Sequence, residues 1–238
     1  MDTHLHHDHH HTEDHLKSSD ALRDIVIGLS DGLTVPFALA AGLSGAVDKS
    51  SIIIIAGIAE IAAGSIAMGL GGYLAGKTEQ DHYSSEVKRE YSEVENLRHL
   101  EIEETQEFFA NIGLSPALQK QATEEIAQDK DRWVDFMMRY ELGLEKPMAN
   151  RATQSAITIG VSYIVGGIIP LSPYFFESNS QIALYYSCAI TMVCLFVFGF
   201  FKSKVTGQPA FTGAIKVLFI GALAAAAAFL MAKLINAA

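Results

Sequence analysis

The sequence predicts an all-α polytopic membrane protein, with five transmembrane helices and a helical insert between the second and third. Three observations predict it. Half of the 238 residues are hydrophobic, and they gather into five runs of about 20 residues or more, the length a helix needs to cross ~30 Å of hydrocarbon. One stretch, 78–147, interrupts the runs; there acidic residues outnumber Lys and Arg by about two to one. With spans at 22–47, 51–76, 150–170, 182–201 and 212–235, Lys17, Arg23, Lys77, Lys146, Arg151, Lys202, Lys204 and Lys216 share one side, and only Lys49 and Lys233 take the other. The positive-inside rule then places the N-terminus and the insert in the cytosol and the C-terminus in a lumen or outside. The chain divides into a cytosolic tail (1–20), spans one and two (21–77), the insert (78–147) and spans three to five (148–238).

The tail is His-rich: His4, His6, His7, His9, His10, His11 and His15 alternate with Asp2, Asp8 and Asp14. It is polar and precedes an apolar run too long for a signal peptide, and its composition predicts a disordered segment with loose metal affinity. In the first span Gly28 and Gly32 stand four apart, as Gly72 and Gly76 do in the second. Small-xxx-small spacing lets helices approach closely, within one chain or across a dimer seam. Pro36 is expected to kink the first span or free a carbonyl one turn past Asp31. Nothing between Ala75 and Asn96 stops a helix after Gly76, so the second span is expected to leave the membrane as a long rod.

The insert continues to a break at Gly113-Leu114-Ser115-Pro116. Ser115 is the expected N-cap, with Pro116 at the first position. A helix over about 116–127 follows, then one over about 129–143 ended by Gly143 and Pro147. Pro170 and Pro173 are expected to close the third span and open a short loop. In the fourth, Cys188 and Cys194 lie six apart on different faces, as unpaired apolar filler. Gly207 and Pro209 mark the turn into the fifth span. There Ala224–Ala228 is small, but Val217, Leu218, Phe219, Ile220, Phe229 and Leu230 supply the apolar surface.

Two residues in these runs carry chemistry. Asp31 and Glu60 lie within apolar spans, where a charge costs at least ~2.5–3.5 kcal/mol on insertion scales. No Lys or Arg lies mid-span to pair with them, which points to a path for a cation or a proton. Asp31 lies about 7–9 residues inside its span, ~10–13 Å at 1.5 Å per residue. Met68 lies at a similar depth on the second span, so Asp31 and Met68 could share a ligand shell, with Glu60 as the next station. Taken alone, Met68 reads equally as core packing.

On the rod, Glu90, Glu93, Leu97, Glu101 and Glu104 fall in a stripe about 80° wide on a continuous helix, with Glu79 and Glu86 extending it and Lys88, Arg89 and Arg98 off it. Like charges at this spacing weaken a helix, and carboxylate oxygens suit divalent cations. Met137, Met138 and Glu141 add thioether donors and another carboxylate on a separate helix. The competing reading is an acidic solvated face beside two core methionines; spacing alone does not choose. The net charge of −10 argues against a nucleic-acid partner.

The stretch Arg23-Asp24-Ile25-Val26-Ile27-Gly28-Leu29-Ser30-Asp31-Gly32-Leu33, with Pro36-Phe37-Ala38-Leu39 after it, resembles the opening of the vacuolar iron transporter family. The similarity runs from about Leu16 to the C-terminus. It implies a homodimeric exchanger in the vacuole membrane that moves iron(II) out of the cytosol against lumenal protons, supports iron storage and requires no cofactor. Asp31, Glu60 and Met68 match the family's translocation path. Glu90, Glu93, Glu101, Glu104, Met137, Met138 and Glu141 match the ligands of its cytosolic metal-binding domain. Manganese(II), zinc(II) or cobalt(II) could use the same donors. A membrane-anchored di-iron oxidase is disfavoured: only Glu79-Gln80-Asp81-His82 offers the Glu-x-x-His spacing, and such sites need two. A metal sensor without transport leaves Asp31 and Glu60 unexplained.

Overall fold

A computed structural model describes residues 20–237, with side chains to residue 235. The His-rich tail lies outside the described residues. Every regular element among them is helical, and five helices are long and apolar enough to cross a membrane. The described residues divide into two compact units, residues 20–65 with 158–237, and residues 66–157.

The first unit is built on α1 (Asp20–Ser44), the opening of α2 (Ser50–Asn96), most of α6 (Arg151–Leu171), α7 (Ser180–Val205) and α8 (Ala210–Ala237). α1 packs on both α7 and α8, and α7 on α8. Small residues set how closely these helices approach. A Cβ on Gly32 would stand 2.9 Å from Tyr163 Cα, and one on Gly166 would stand 2.9 Å from the Gly32 carbonyl carbon. Gly28 meets Ile159 and Ser162 in the same way. The Gly28/Gly32 spacing is thus spent on α1–α6 packing inside the chain, and in the second unit Gly76 packs against Ala152.

Pro36 lies within α1 without ending it; having no N–H, it leaves the Gly32 carbonyl without its helical donor. Pro170 is the penultimate residue of α6, which ends at Leu171, and a 3₁₀ turn over Ser172–Phe175 that contains Pro173 follows, so the two prolines close the span as expected. The Pro170 carbonyl accepts from Ser187 Oγ at 2.7 Å, which ties this end of α6 to α7. Asn179 caps α7, its side chain accepting from the Gln181 and Ile182 amides. Lys202 and Lys204 sit in the last turn of that helix, where the dipole favours cations, so α7 extends beyond its expected end at 201. Cys188 and Cys194 are unpaired.

The second unit contains the rest of α2, then α3 (Arg98–Asn111), α4 (Pro116–Ile126), α5 (Lys130–Phe136) and a π-helical turn, Met137–Glu141. α2 continues unbroken to Asn96, as its sequence requires. It then breaks at Leu97 (φ −124°, ψ 27°), where the Leu100 amide donates to the Leu97 carbonyl at 2.8 Å in a tightened turn. The acidic stripe is therefore carried by two helices and not by one continuous rod. Ser115 takes the N-cap backbone conformation, but its side chain makes no capping bond. The last insert helix is shorter than expected, because the Leu142 amide bonds the Met137 carbonyl five residues back at 3.1 Å and turns its end into a π-turn. Gly143, with φ +64°, follows the break. The core of this unit is Val94, Trp133, Val134, Met137 and Met138.

Candidate metal path and carboxylate cluster

In the first unit Asp31 is partly buried on α1 and Glu60 partly buried on α2. Tyr163 of α6 links them. Its hydroxyl donates to Glu60 Oε1, and its ring lies across α2 at Gly64, where an added Cβ would stand 2.6 Å from Cζ. Its backbone packs against Gly32, the residue after Asp31. Glu60 Oε2 is buried with no hydrogen-bond partner among the described residues. A buried carboxylate oxygen left open in this way can accept a proton or a cation, and otherwise carries a desolvation cost of about 1–3 kcal/mol or more. Tyr163 was not singled out in the sequence. Its partner is 103 residues away, and only the Gly32, Gly64 and Gly166 contacts bring it to the site. Met68 lies partly buried on α2 in the second unit.

In the second unit Glu90 and Glu101 are each only 3% exposed, while Glu104 and Glu141 are exposed. A solvated acidic face does not describe this arrangement. Burial, then the charges of Glu141 and Glu93, push the Glu90 pKa up to about 7, with Arg89 opposing. Burial, then Glu90 and Glu104, push Glu101 up to about 7 as well. Loss of water on its protein side, then Glu104 and Glu93, raise Glu141. The break at Leu97 and the π-turn thus gather five glutamates from α2, α3 and the π-turn into one field.

Met137 and Met138 are each 1% exposed in the core beneath. The one hydrogen of Thr105 Oγ1 faces both the Glu101 carbonyl at 2.7 Å and Met137 Sδ at 3.4 Å, while Trp133 Nε1 donates to the same oxygen at 2.9 Å. This network pins the Glu101 turn to Met137. Glu101 Oε2 is buried without a hydrogen-bond partner among the described residues. Glu104 and Glu141 open onto a surface cleft lined also by Glu107, Phe108, Asn111 and Tyr140. Among the described residues, no three His, Cys, Asp or Glu side chains converge into a closed coordination shell. Arg98 stacks over Trp133 and donates to the Ala127 carbonyl. Arg89, expected off the stripe, instead contacts Glu86, Glu90 and Glu93, because its long side chain bends back towards the carboxylates.

The sequence model described as the VIT family matches residues 22–233. Vacuolar iron transporter 1 of Tulipa gesneriana is 51% identical over 226 residues, covering 95% of this chain and 92% of the relative. Vacuolar iron transporter 1 of Oryza sativa subsp. japonica is 50% identical over 231 residues, 97% and 92% of the two chains. Protein CCC1 of Saccharomyces cerevisiae is 40% identical over 228 residues, 90% and 69%.

Proposed function

Because this chain belongs to the VIT family, we propose that it carries iron(II) from the cytosol into the vacuole in exchange for protons, as a homodimer, with the acidic insert capturing metal on the cytosolic side. The observation that carries this reading is the pair of carboxylates in apolar helices, Asp31 and Glu60, with Tyr163 bonded to Glu60 and packed by its backbone on Gly32 beside Asp31, and an open Oε2 on Glu60. No lysine or arginine lies mid-span to make them a structural ion pair. Metal needs the ionised oxygen, so metal and proton compete for it. A near-neutral cytosol loads such a site, and an acidic lumen unloads it. Manganese(II) shares the ligand preferences and is the second substrate to test. The vacuolar relatives supply the membrane and the metal; the carboxylates supply the coupling.

Topology is checked by single-cysteine labelling in sealed vesicles. With the N-terminus and insert cytosolic and the C-terminus lumenal, Ser115→Cys reacts from the cytosolic side and Ala237→Cys only after permeabilisation. Reaction of both from one face excludes five spans.

Capture by the insert is checked on the full-length protein. Glu90, Glu93, Glu101, Glu104 and Glu141 are the main ligands in this reading, with Met137 and Met138 as soft donors. Replacing the five glutamates with alanine lowers the number of divalent ions bound in a calorimetric titration and slows transport without abolishing it, since the insert feeds the path. Glu90 and Glu101 have pKa values raised to about 7. Affinity therefore falls steeply from pH 8 to pH 6 as both take up protons, and metal binding near neutral pH releases protons. Because both pKa values are higher folded than unfolded, these groups disfavour the metal-free fold as pH rises through 7. A pH-independent affinity over this window excludes Glu90 and Glu101 as ligands.

A further inference from the structure

The Arg89 guanidinium lies among the carboxylates assigned to the metal. Its Nη2 is 2.9 Å from Glu86 Oε2 and 3.7 Å from Glu90 Oε1, and its Nε is 3.5 Å from Glu93 Oε2. The contacts to Glu86 and Glu93 follow helix spacing. The contact to Glu90 does not, because consecutive residues on a helix do not face one another; here the guanidinium folds back over a carboxylate that is only 3% exposed. Glu90 and Glu93 belong to the proposed ligand set. Glu86, which takes the shortest of the three contacts, does not, and its second oxygen faces His82 Nδ1 at 3.9 Å. A guanidinium keeps its charge at any working pH, so it can leave these oxygens only by moving.

We propose that Arg89 is a tethered cation that competes with the metal for Glu90 and Glu93, and that Glu86 holds it aside when metal is bound. This rests on the capture reading above. The arrangement solves a problem of the cluster: five glutamates that share one field repel when no metal is present, and a site of that charge with no competitor would hold its metal too tightly to pass it on. An attached cation lowers both the repulsion and the affinity. Because it is attached, its local concentration does not depend on the composition of the cytosol.

The test is a titration of the full-length protein in detergent with manganese(II), under nitrogen at pH 8, with a thermal melt to confirm folding. Arg89→Gln is expected to bind roughly threefold to tenfold more tightly than wild type, and Glu86→Gln more weakly by a similar factor. Arg89→Lys keeps the charge without the fork and falls between wild type and Arg89→Gln. The deciding measurement is the double variant. If Glu86 acts only by holding Arg89, then Glu86→Gln has no further effect in the Arg89→Gln background. Simple addition of two long-range charge effects would overturn the proposal, as would an Arg89→Gln protein that binds no more tightly than wild type. If wild type itself binds no more manganese(II) than the five-alanine variant, the capture reading fails before Arg89 is considered.

Discussion

Replacing Asp31 with Asn abolishes iron(II) uptake into proteoliposomes and leaves a folded protein. The side chain keeps its size and loses the ionised oxygen that a hard or borderline cation requires. A charge at that depth costs at least ~2.5–3.5 kcal/mol on insertion scales, so its removal does not lower stability. Glu60→Gln is nearly as severe, because in the proposed path that position accepts both proton and metal. Tyr163→Phe removes the hydroxyl that donates to Glu60 and slows uptake while retaining the packing of its ring. Met68→Ala is milder, or shifts preference towards manganese(II), since only a soft donor is lost. Initial rates of uptake, normalised to the folded protein recovered, decide the matter; an Asp31→Asn protein that keeps more than about a tenth of the wild-type rate, a deficit under ~1.4 kcal/mol, takes Asp31 off the path.

An acidic interior accelerates uptake by the wild type. With the outside held near pH ~7.5, where Glu90 and Glu101 (pKa about 7) are mostly ionised, vesicles filled at pH ~5.5 accumulate iron(II) faster than vesicles filled at ~7.5. The sign follows from competition: in the proposed exchange, protons entering from the inside displace metal from Asp31 and Glu60 and return the carrier empty. Equal rates at the two interiors leave a channel or uniporter and remove proton exchange. The five-alanine insert variant keeps its dependence on interior pH, because the insert does not form the path. That separates a coupling defect from a capture defect.

What the sequence by itself determined is what depends on composition along a single helix. Apolar run length set the five spanning helices. The absence of Gly and Pro from Lys77 to Asn96 carried α2 unbroken to Asn96, and the cost of a charge in hydrocarbon marked Asp31 and Glu60. What only the tertiary structure decided is what depends on contacts between segments far apart in the chain. Local pattern did not reveal the break at Leu97, because no Gly or Pro stands there; the packing of α3 against α4 and the π-turn goes with a bend that splits the acidic stripe over two helices. Spacing gave Met137 and Met138 equal standing as ligands or as core; the fold buries both to 1% exposure and ties Met137 to the Glu101 turn through Thr105. Tyr163 went unmarked in sequence, and Arg89 was read as lying off the acidic stripe, for one physical reason. A phenol or a guanidinium acquires a role only from the carboxylate it faces; the fold brings Tyr163 to Glu60, and a bend of its own side chain brings Arg89 over Glu90.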